Sequence, residues 1–192
     1  LNLAMGYAEM CTPGIAMAGK VPGALLPLGS GRNMVQNHMM QLLCLVAMEP
    51  PADAGADSVR DEKVKVLKSL RRFTHGTAQQ KSVTGQYREG AVGGEVVKGY
   101  TIEKGGEAST ETFVALRADI DNWRWAGVPF YLRTGKRLPE RRTQIAIQFN
   151  ALPHSIFGTV AQDDLAANRL VIDLQPKEDI SLLLMNRKPG LS

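Results

Sequence analysis

Apolar and polar residues alternate with a period of two through much of the second half of the chain, which is typical of half-buried β-strands. The pattern predicts strands at Val83–Tyr87, Thr112–Ala118, Val128–Arg133, Gln144–Phe149, Leu170–Gln175 and Ile180–Met185. No long helical pattern separates these strands, and parallel pairing of successive strands would need such crossovers. We therefore predict an α+β fold, in which helices pack on one face of a largely antiparallel sheet.

Two helices are predicted ahead of most of the strands. The first covers Arg32–Met48 and ends before a pair of prolines. Its second half is apolar nearly all round, which indicates a buried helix, whereas its first turns are polar. The second helix ends near Leu70 and is predicted to begin at a capping box over Ser58–Asp61. The polar end of the first helix is a rigid support on which a site can be built.

Residues 1–31 differ from the rest of the chain. They are rich in Gly, Ala, Pro, Met and Leu, carry only the charges of Glu9 and Lys20, and show neither a clean helical nor a clean strand period. We expect this segment to be disordered or an artefact of the reading frame, with genuine divergence or a foreign fusion as the alternative. Translation of the encoding DNA in its other two frames tests these alternatives. The predicted domains are thus 1–31, atypical, and 32–192, folded.

Composition narrows the function only slightly. The net charge of +4 allows an anionic partner, which could be nucleic acid, a membrane surface or a phosphorylated metabolite. The two cysteines are too few for a disulfide framework, and three scattered histidines suggest no metal site. Cys44 lies in an apolar run and is predicted to be a core residue. No apolar run is long enough for a membrane span, and no signal peptide is recognised, so a cytoplasmic location is expected.

Two features of the bare sequence could carry chemistry. The chain has no G-x-G-x-x-G after a strand, no P-loop and no G-x-S-x-G elbow, which leaves His38 and a cationic cluster at Arg133–Arg142. His38 lies at the polar end of the first predicted helix, where it is either a structural or a functional histidine. The cluster lies between two predicted strands and is either an anion-binding site or an ordinary charged surface.

Several segments, in order, resemble the glucose-6-phosphate dehydrogenase family. They are MVQNHMMQLLCLVAMEPP (34–51), VRDEKVKVL (59–67), GQY (85–87), STETFVAL (109–116), NWRWAGVPFYLRTGKRL (122–138), NRLVI (168–172), LQP (174–176) and KPG (188–190). The resemblance runs from about Arg32 to the end of the chain. It implies a partial C-terminal, substrate-side domain, with the dinucleotide-binding domain absent.

The resemblance implies roles for five residues. His38 takes the place of the general base that removes the proton from the sugar C1 hydroxyl, a task suited to an imidazole, which ionises near neutral pH. Lys136 and Arg141 match positions that contact glucose 6-phosphate, and Gln175 matches a further substrate-side position in some members. Asn33 replaces a family Asp that contacts the sugar, and an amide brings no charge to that contact.

The implied reaction is oxidation of glucose 6-phosphate to 6-phosphogluconolactone with NADP as cofactor. Arg133 and Arg142 align with residues that hold a second, structural NADP in some members, but Asp173 replaces an expected Arg and argues against that site. The resemblance also implies a homodimer or homotetramer formed through the sheet, with no membrane or nucleic-acid partner. The alternative is a non-catalytic sheet module that only self-associates. We expect the chain by itself to be inactive.

Overall fold

The computed structural model describes residues 5–11, 38–92, 94–106, 110–138, 141–150 and 167–184. The helices in these ranges are α1 (Met40–Ala47), α2 (Ala56–Ser69), α3 (His75–Lys81) and α4 (Tyr100–Glu103). The strands are β1 (Met5–Cys11), β2 (Ser82–Gly85), β3 (Gly90–Val92), β4 (Glu95–Val97), β5 (Phe113–Asp119), β6 (Pro129–Gly135), β7 (Thr143–Phe149), β8 (Arg169–Gln175) and β9 (Asp179–Leu183).

Seven strands form one sheet in the order β2-β5-β6-β1-β7-β8-β9, and β3 pairs with β4 in a separate hairpin. Within the described part of the large sheet every pairing is antiparallel except that of β1 with β6. The predicted α+β fold with a largely antiparallel sheet is confirmed. The six predicted strands correspond to β2 and β5 to β9. Each predicted end lies within two residues of the observed end.

Strand β1 lies within residues 1–31, a segment whose sequence shows neither a clean helical nor a clean strand period. Its backbone lies in the middle of the sheet, where Ala8 pairs with Phe130 of β6 on one side and with Ile147 of β7 on the other. Its sequence, MGYAEMC, has few of the β-branched and aromatic residues that favour strands. The strand conformation of β1 therefore depends on its pairing with β6 and β7, and the local sequence pattern does not predict it. The origin of residues 1–31 stays a prediction.

The core lies between one face of the sheet and the helices α1 and α2. Strand β6 alternates between the two faces, with Phe130 and Leu132 each 1% exposed towards the helices and Tyr131 exposed on the other face. Cys44 of α1 is buried in this core, as predicted. Leu45 is 47% exposed, however, so α1 is buried along one face only, and the prediction of burial nearly all round is wrong.

The start of α2 differs from the predicted capping box. The helix begins at Ala56 after the N-cap Gly55, and no side chain caps it. The hydroxyl of Ser58 instead donates to Asp53 Oδ2 at 2.9 Å, a local side-chain hydrogen bond that takes the place of the predicted cap. A capping box does occur at α3, where Thr74 and Thr77 exchange backbone-to-side-chain hydrogen bonds.

A buried tryptophan fixes α1 against the sheet. Trp125, in the connection between β5 and β6, donates from Nε1 to the carbonyl of Ala47 at 2.9 Å and packs edge-on against Phe130, with ring centroids 5.1 Å apart. Its side chain is 2% exposed, so the hydrogen bond satisfies the last turn of α1 where water cannot reach it. The helix that begins beside His38 is thereby held at its far end.

Candidate functional site

The cationic cluster predicted at Arg133–Arg142 begins inside β6, which contains Arg133, and continues on the connection between β6 and β7, residues 136–142, which we call the basic connection. Because β1 lies between these strands, the connection must cross the C-terminal end of β1 and cannot be a tight hairpin. It leaves β6 at Gly135, where an added Cβ would lie 2.8 Å from the Phe113 ring. The Lys136 amide then donates to the carbonyl of Thr112 at 2.8 Å, which fixes the first residue of the connection.

At the first end of the connection, Arg137 forms an ion pair with Glu103 of α4. Its Nη2 lies 2.7 Å from Glu103 Oε2, and its guanidinium carbon lies 4.8 Å from the centre of the Tyr87 ring. The Tyr87 hydroxyl donates to the same Oε2 at 2.7 Å. This hydrogen bond and the nearby guanidinium lower the pKa of Glu103. Burial and the same hydrogen bond raise the pKa of Tyr87 to about 12.

At the second end, Arg142 forms a bidentate ion pair with Asp173 of β8. The two nitrogen–oxygen distances are 2.6 and 2.7 Å, and Gln144 donates to the same carboxylate at 3.0 Å. The hydrogen bonds from Arg142 lower the pKa of Asp173. A parallel pair of charge-assisted hydrogen bonds is the strongest geometry available to these groups. The guanidinium of Arg142 is therefore already paired with a carboxylate of its own chain.

The other two cations of the basic connection differ from Arg137 and Arg142. The side chains of Lys136 and Arg141 make no hydrogen bond or ion pair with another residue that the structure describes. The fold thus divides the four cations of the connection into two arginines that hold it in place and two cations that pair with no carboxylate in the described ranges. Lys136 and Arg141 are the two residues that the resemblance assigns to glucose 6-phosphate.

Arg141 and Gln175 line the same open cleft of about 610 Å³, together with Arg142, Asp173, Pro176, Lys177 and Asp179. The structure thus brings two of the predicted site residues together. His38 is exposed immediately before α1, and it makes no hydrogen bond or ion pair with Lys136, Arg141 or Gln175 among the described residues. Asn33 lies outside the described residues. Within the same ranges there is no cluster of three potential metal ligands.

Sequence analysis missed three residues that hold the basic connection in place. Tyr87 and Glu103 contact Arg137, and the Thr112 hydroxyl accepts from the Tyr87 amide at 2.9 Å while the Thr112 carbonyl accepts from Lys136. The sequence holds a signal for two of them, because Tyr87 lies in the GQY segment and Thr112 in the STETFVAL segment, and both segments belong to the family resemblance. Nothing local to Glu103 indicated its part.

The fold and the cluster define an α+β domain with a basic connection that is held by ion pairs, on which two cations have no partner among the described residues, and one of the two lines a cleft. Residues 27–192 match the family model described as "Glucose-6-phosphate dehydrogenase, C-terminal domain". The chain therefore belongs to the glucose-6-phosphate dehydrogenase family.

Curated relatives include the glucose-6-phosphate 1-dehydrogenases of Zymomonas mobilis and Rhizobium meliloti. Each is 55% identical over 163 residues, which cover 85% and 84% of this chain and 33% of each relative. A glucose-6-phosphate 1-dehydrogenase structure from Mycobacterium avium matches with a TM-score of 0.73 at 34% identity, over 96% of this chain and 38% of that one.

A second structure, glucose-6-phosphate dehydrogenase in complex with its substrate glucose-6-phosphate, matches with a TM-score of 0.77 at 33% identity. That match covers 98% of this chain and 37% of the other. The chain thus spans about a third of the length of the curated relatives it matches. No helix among the described residues has the length and apolar character needed to cross a membrane.

Proposed function

We propose that this chain supplies the substrate-binding half of a glucose-6-phosphate dehydrogenase, in which Lys136 and Arg141 bind the phosphate of glucose 6-phosphate. The observation that carries the proposal is the division of the basic connection. Glu103 and Asp173 each pair with an arginine, whereas Lys136 and Arg141 form no ion pair with a described carboxylate. An ammonium and a guanidinium are the groups that bind a phosphate dianion by point charge and by paired hydrogen bonds.

The remaining roles rest on the family resemblance. Gln175, which shares the cleft with Arg141, hydrogen-bonds the substrate, and Asn33 offers an amide to a sugar hydroxyl. His38 accepts the proton of the C1 hydroxyl while the C1 hydrogen leaves as hydride and the C1–O bond becomes the lactone carbonyl. NADP, when bound, is the hydride acceptor, a prediction that rests on the family. A cytoplasmic location likewise stays a prediction.

A second, structural NADP does not fit the residues present at Arg142. The carboxylate of Asp173 accepts from Nε and Nη2 of that guanidinium and carries the same sign of charge as a nucleotide phosphate. A phosphate would have to displace Asp173 and would then lie against its negative charge. We therefore derive no step through a nucleotide at this position.

Calorimetric titration of the chain with glucose 6-phosphate, with glucose as the matched control, tests the binding proposal. Binding of the phosphorylated sugar alone supports it, and equal affinity for both sugars contradicts it. The chain should not reduce NADP in the presence of glucose 6-phosphate, since the proposal gives it only the substrate side. Turnover above a blank, measured by nicotinamide absorbance, would contradict that division of labour.

Self-association through the sheet is the second candidate function. The last strand, β9, exposes Ile180, Leu182 and Leu183 by 71%, 56% and 55%, and apolar surface of this kind marks contact sites. A homodimer or homotetramer would cover it. Sedimentation of the chain and of Leu182→Lys tests this candidate, because the substitution should shift the chain towards monomer. A wild-type chain that stays monomeric at high concentration would contradict it.

A further inference from the structure

Arg137 has an unusual backbone conformation next to Lys136. Its φ of 55° places it in the left-handed region, which is unfavourable for a residue with a Cβ atom. Such a conformation persists when surrounding contacts determine it. The contacts here are the ion pair to Glu103, the stacking over the Tyr87 ring and the hydrogen bond from Lys136 to Thr112.

These contacts come from three separate parts of the chain. Tyr87 follows β2, Glu103 ends α4, and Thr112 precedes β5; with Arg137 they form what we call the Tyr87 cluster. Tyr87 is 5% exposed and Thr112 is 5% exposed, so the base of the cluster is shielded from water. The Tyr100 ring adds an edge-to-face contact with Tyr87, at 5.4 Å between centroids. The cluster is thus a rigid support for the first two residues of the connection.

The geometry leaves Arg137 poorly suited to be a phosphate ligand itself. Its charge is compensated by Glu103, and one face of its guanidinium lies over the Tyr87 ring. Lys136, one residue earlier, has no such compensation among the described residues. A lysine on a mobile loop must lose chain entropy when it binds an anion, whereas a lysine on a fixed backbone has lost part of it already.

We infer that Arg137 is a positioning residue for substrate binding: anchored by Glu103 and Tyr87, it fixes the backbone from which Lys136 meets the phosphate. This inference rests on the proposed function, since it assumes that Lys136 contacts the phosphate. It assigns the Glu103 carboxylate an indirect and favourable effect on anion binding, although a negative charge near an anion site would by Coulomb's law oppose it. That difference in sign makes the inference testable.

Glu103→Gln is the decisive variant, because it keeps the size of the side chain and an oxygen for the Tyr87 hydroxyl but removes the charge that holds Arg137. Calorimetry of the 192-residue chain with glucose 6-phosphate should show about three- to tenfold weaker binding. Arg137→Gly should weaken binding similarly, even though glycine relieves the left-handed φ. Arg137→Lys keeps the positive charge but lacks the planar guanidinium, so it should bind more tightly than Arg137→Gly and less tightly than the wild type.

A double-mutant cycle separates positioning from general stabilisation of the fold. In a Lys136→Ala background, Glu103→Gln should weaken binding no further, since the residue it positions is gone. Arg60→Ala is the matched control, because Arg60 is an exposed arginine paired with a carboxylate far from the connection, and it should bind as the wild type does. Near-ultraviolet circular dichroism, which reports the packing of Trp125, checks that each variant is folded. If a variant does not fold, Tyr87→Phe is measured in its place, because it keeps the ring under Arg137 and removes the hydrogen bond to Glu103.

The outcomes distinguish this inference from the proposed function. If the wild-type chain does not bind glucose 6-phosphate, the proposed binding role fails, and the inference fails with it. If the wild type binds but Glu103→Gln binds equally well or more tightly, the proposed function stands and the positioning role of Arg137 is wrong. Equal losses with and without Lys136 would also overturn the inference, because the cluster would then act independently of that lysine.

Discussion

His38 and the basic connection are two parts of one proposed site, and the structure supports them differently. The connection is fixed at both ends by ion pairs of this chain, Arg137 with Glu103 and Arg142 with Asp173. His38 is exposed, and its side chain has no hydrogen bond or ion pair to another described residue. Under the proposed function, this chain's own contacts organise the phosphate-binding residues, whereas proton transfer by His38 requires neighbours that the described residues do not supply.

The largest expected effect concerns His38. In a full-length dehydrogenase that contains this segment, His38→Asn should lower kcat by about 10²- to 10⁴-fold with little change in KM, because a positioned base is lost while the phosphate contacts remain. Steady-state kinetics measures both constants. Gln41→Ala, on an exposed position of α1 close by, is the control and should leave kcat unchanged. A variant at His38 with nearly normal kcat would make the histidine structural.

The next effect concerns the two unpaired cations. Lys136→Ala and Arg141→Ala should each weaken binding of glucose 6-phosphate by about ten- to a hundredfold, or about 1.5–3 kcal/mol, because each removes a charged contact with the phosphate. Titration calorimetry measures the affinity, and unphosphorylated glucose serves as the control ligand. An equal loss of affinity for glucose would show that these residues do not recognise the phosphate.

A smaller effect is expected at alkaline pH from Tyr87. The pKa of this tyrosine is raised from 10 to about 12 in the folded chain, so its contribution to stability is complete below pH 10 and is lost as the pH rises towards 12. Ultraviolet titration of tyrosinate should show one of the four tyrosines ionising near pH 12. Tyr87→Phe should abolish that last step, and a titration that is unchanged in this variant would assign it to another tyrosine.

The smallest effect concerns Asp173 at acid pH. Its pKa is lowered in the folded state by the hydrogen bonds from Arg142, so the pair stabilises the fold above pH 3.8 and loses that effect as the pH falls through the lower folded value. Asp173→Asn should therefore reduce the free energy of unfolding at neutral pH, and this difference should shrink as the pH falls below 3.8. Denaturant unfolding at neutral pH and below pH 3.8 measures this, with the exposed Asp57→Asn as control.

The strands and the class of fold could be predicted from the sequence because they depend on local pattern. Alternation of apolar and polar residues places the ends of β5 to β9 to within two residues, and the apolar run after His38 predicts that a helix lies there, although α1 is buried along one face only. Strand β1 could not be predicted in this way. Its residues have weak strand preference, and its place in the sheet depends on hydrogen bonds to β6 and β7, which are more than a hundred residues away.

The same distinction applies to the site. The sequence by itself determined that cations cluster near the end of β6 and before β7, and through family resemblance it predicts that Lys136 and Arg141 belong to a substrate site. Only the tertiary structure decided which cations pair with carboxylates. Arg137 meets Glu103 across 34 residues and Arg142 meets Asp173 across 31, because the strand register and the position of α4 bring those carboxylates to the connection. Ion pairing depends on distances of a few ångströms, and residue spacing along the chain does not specify them.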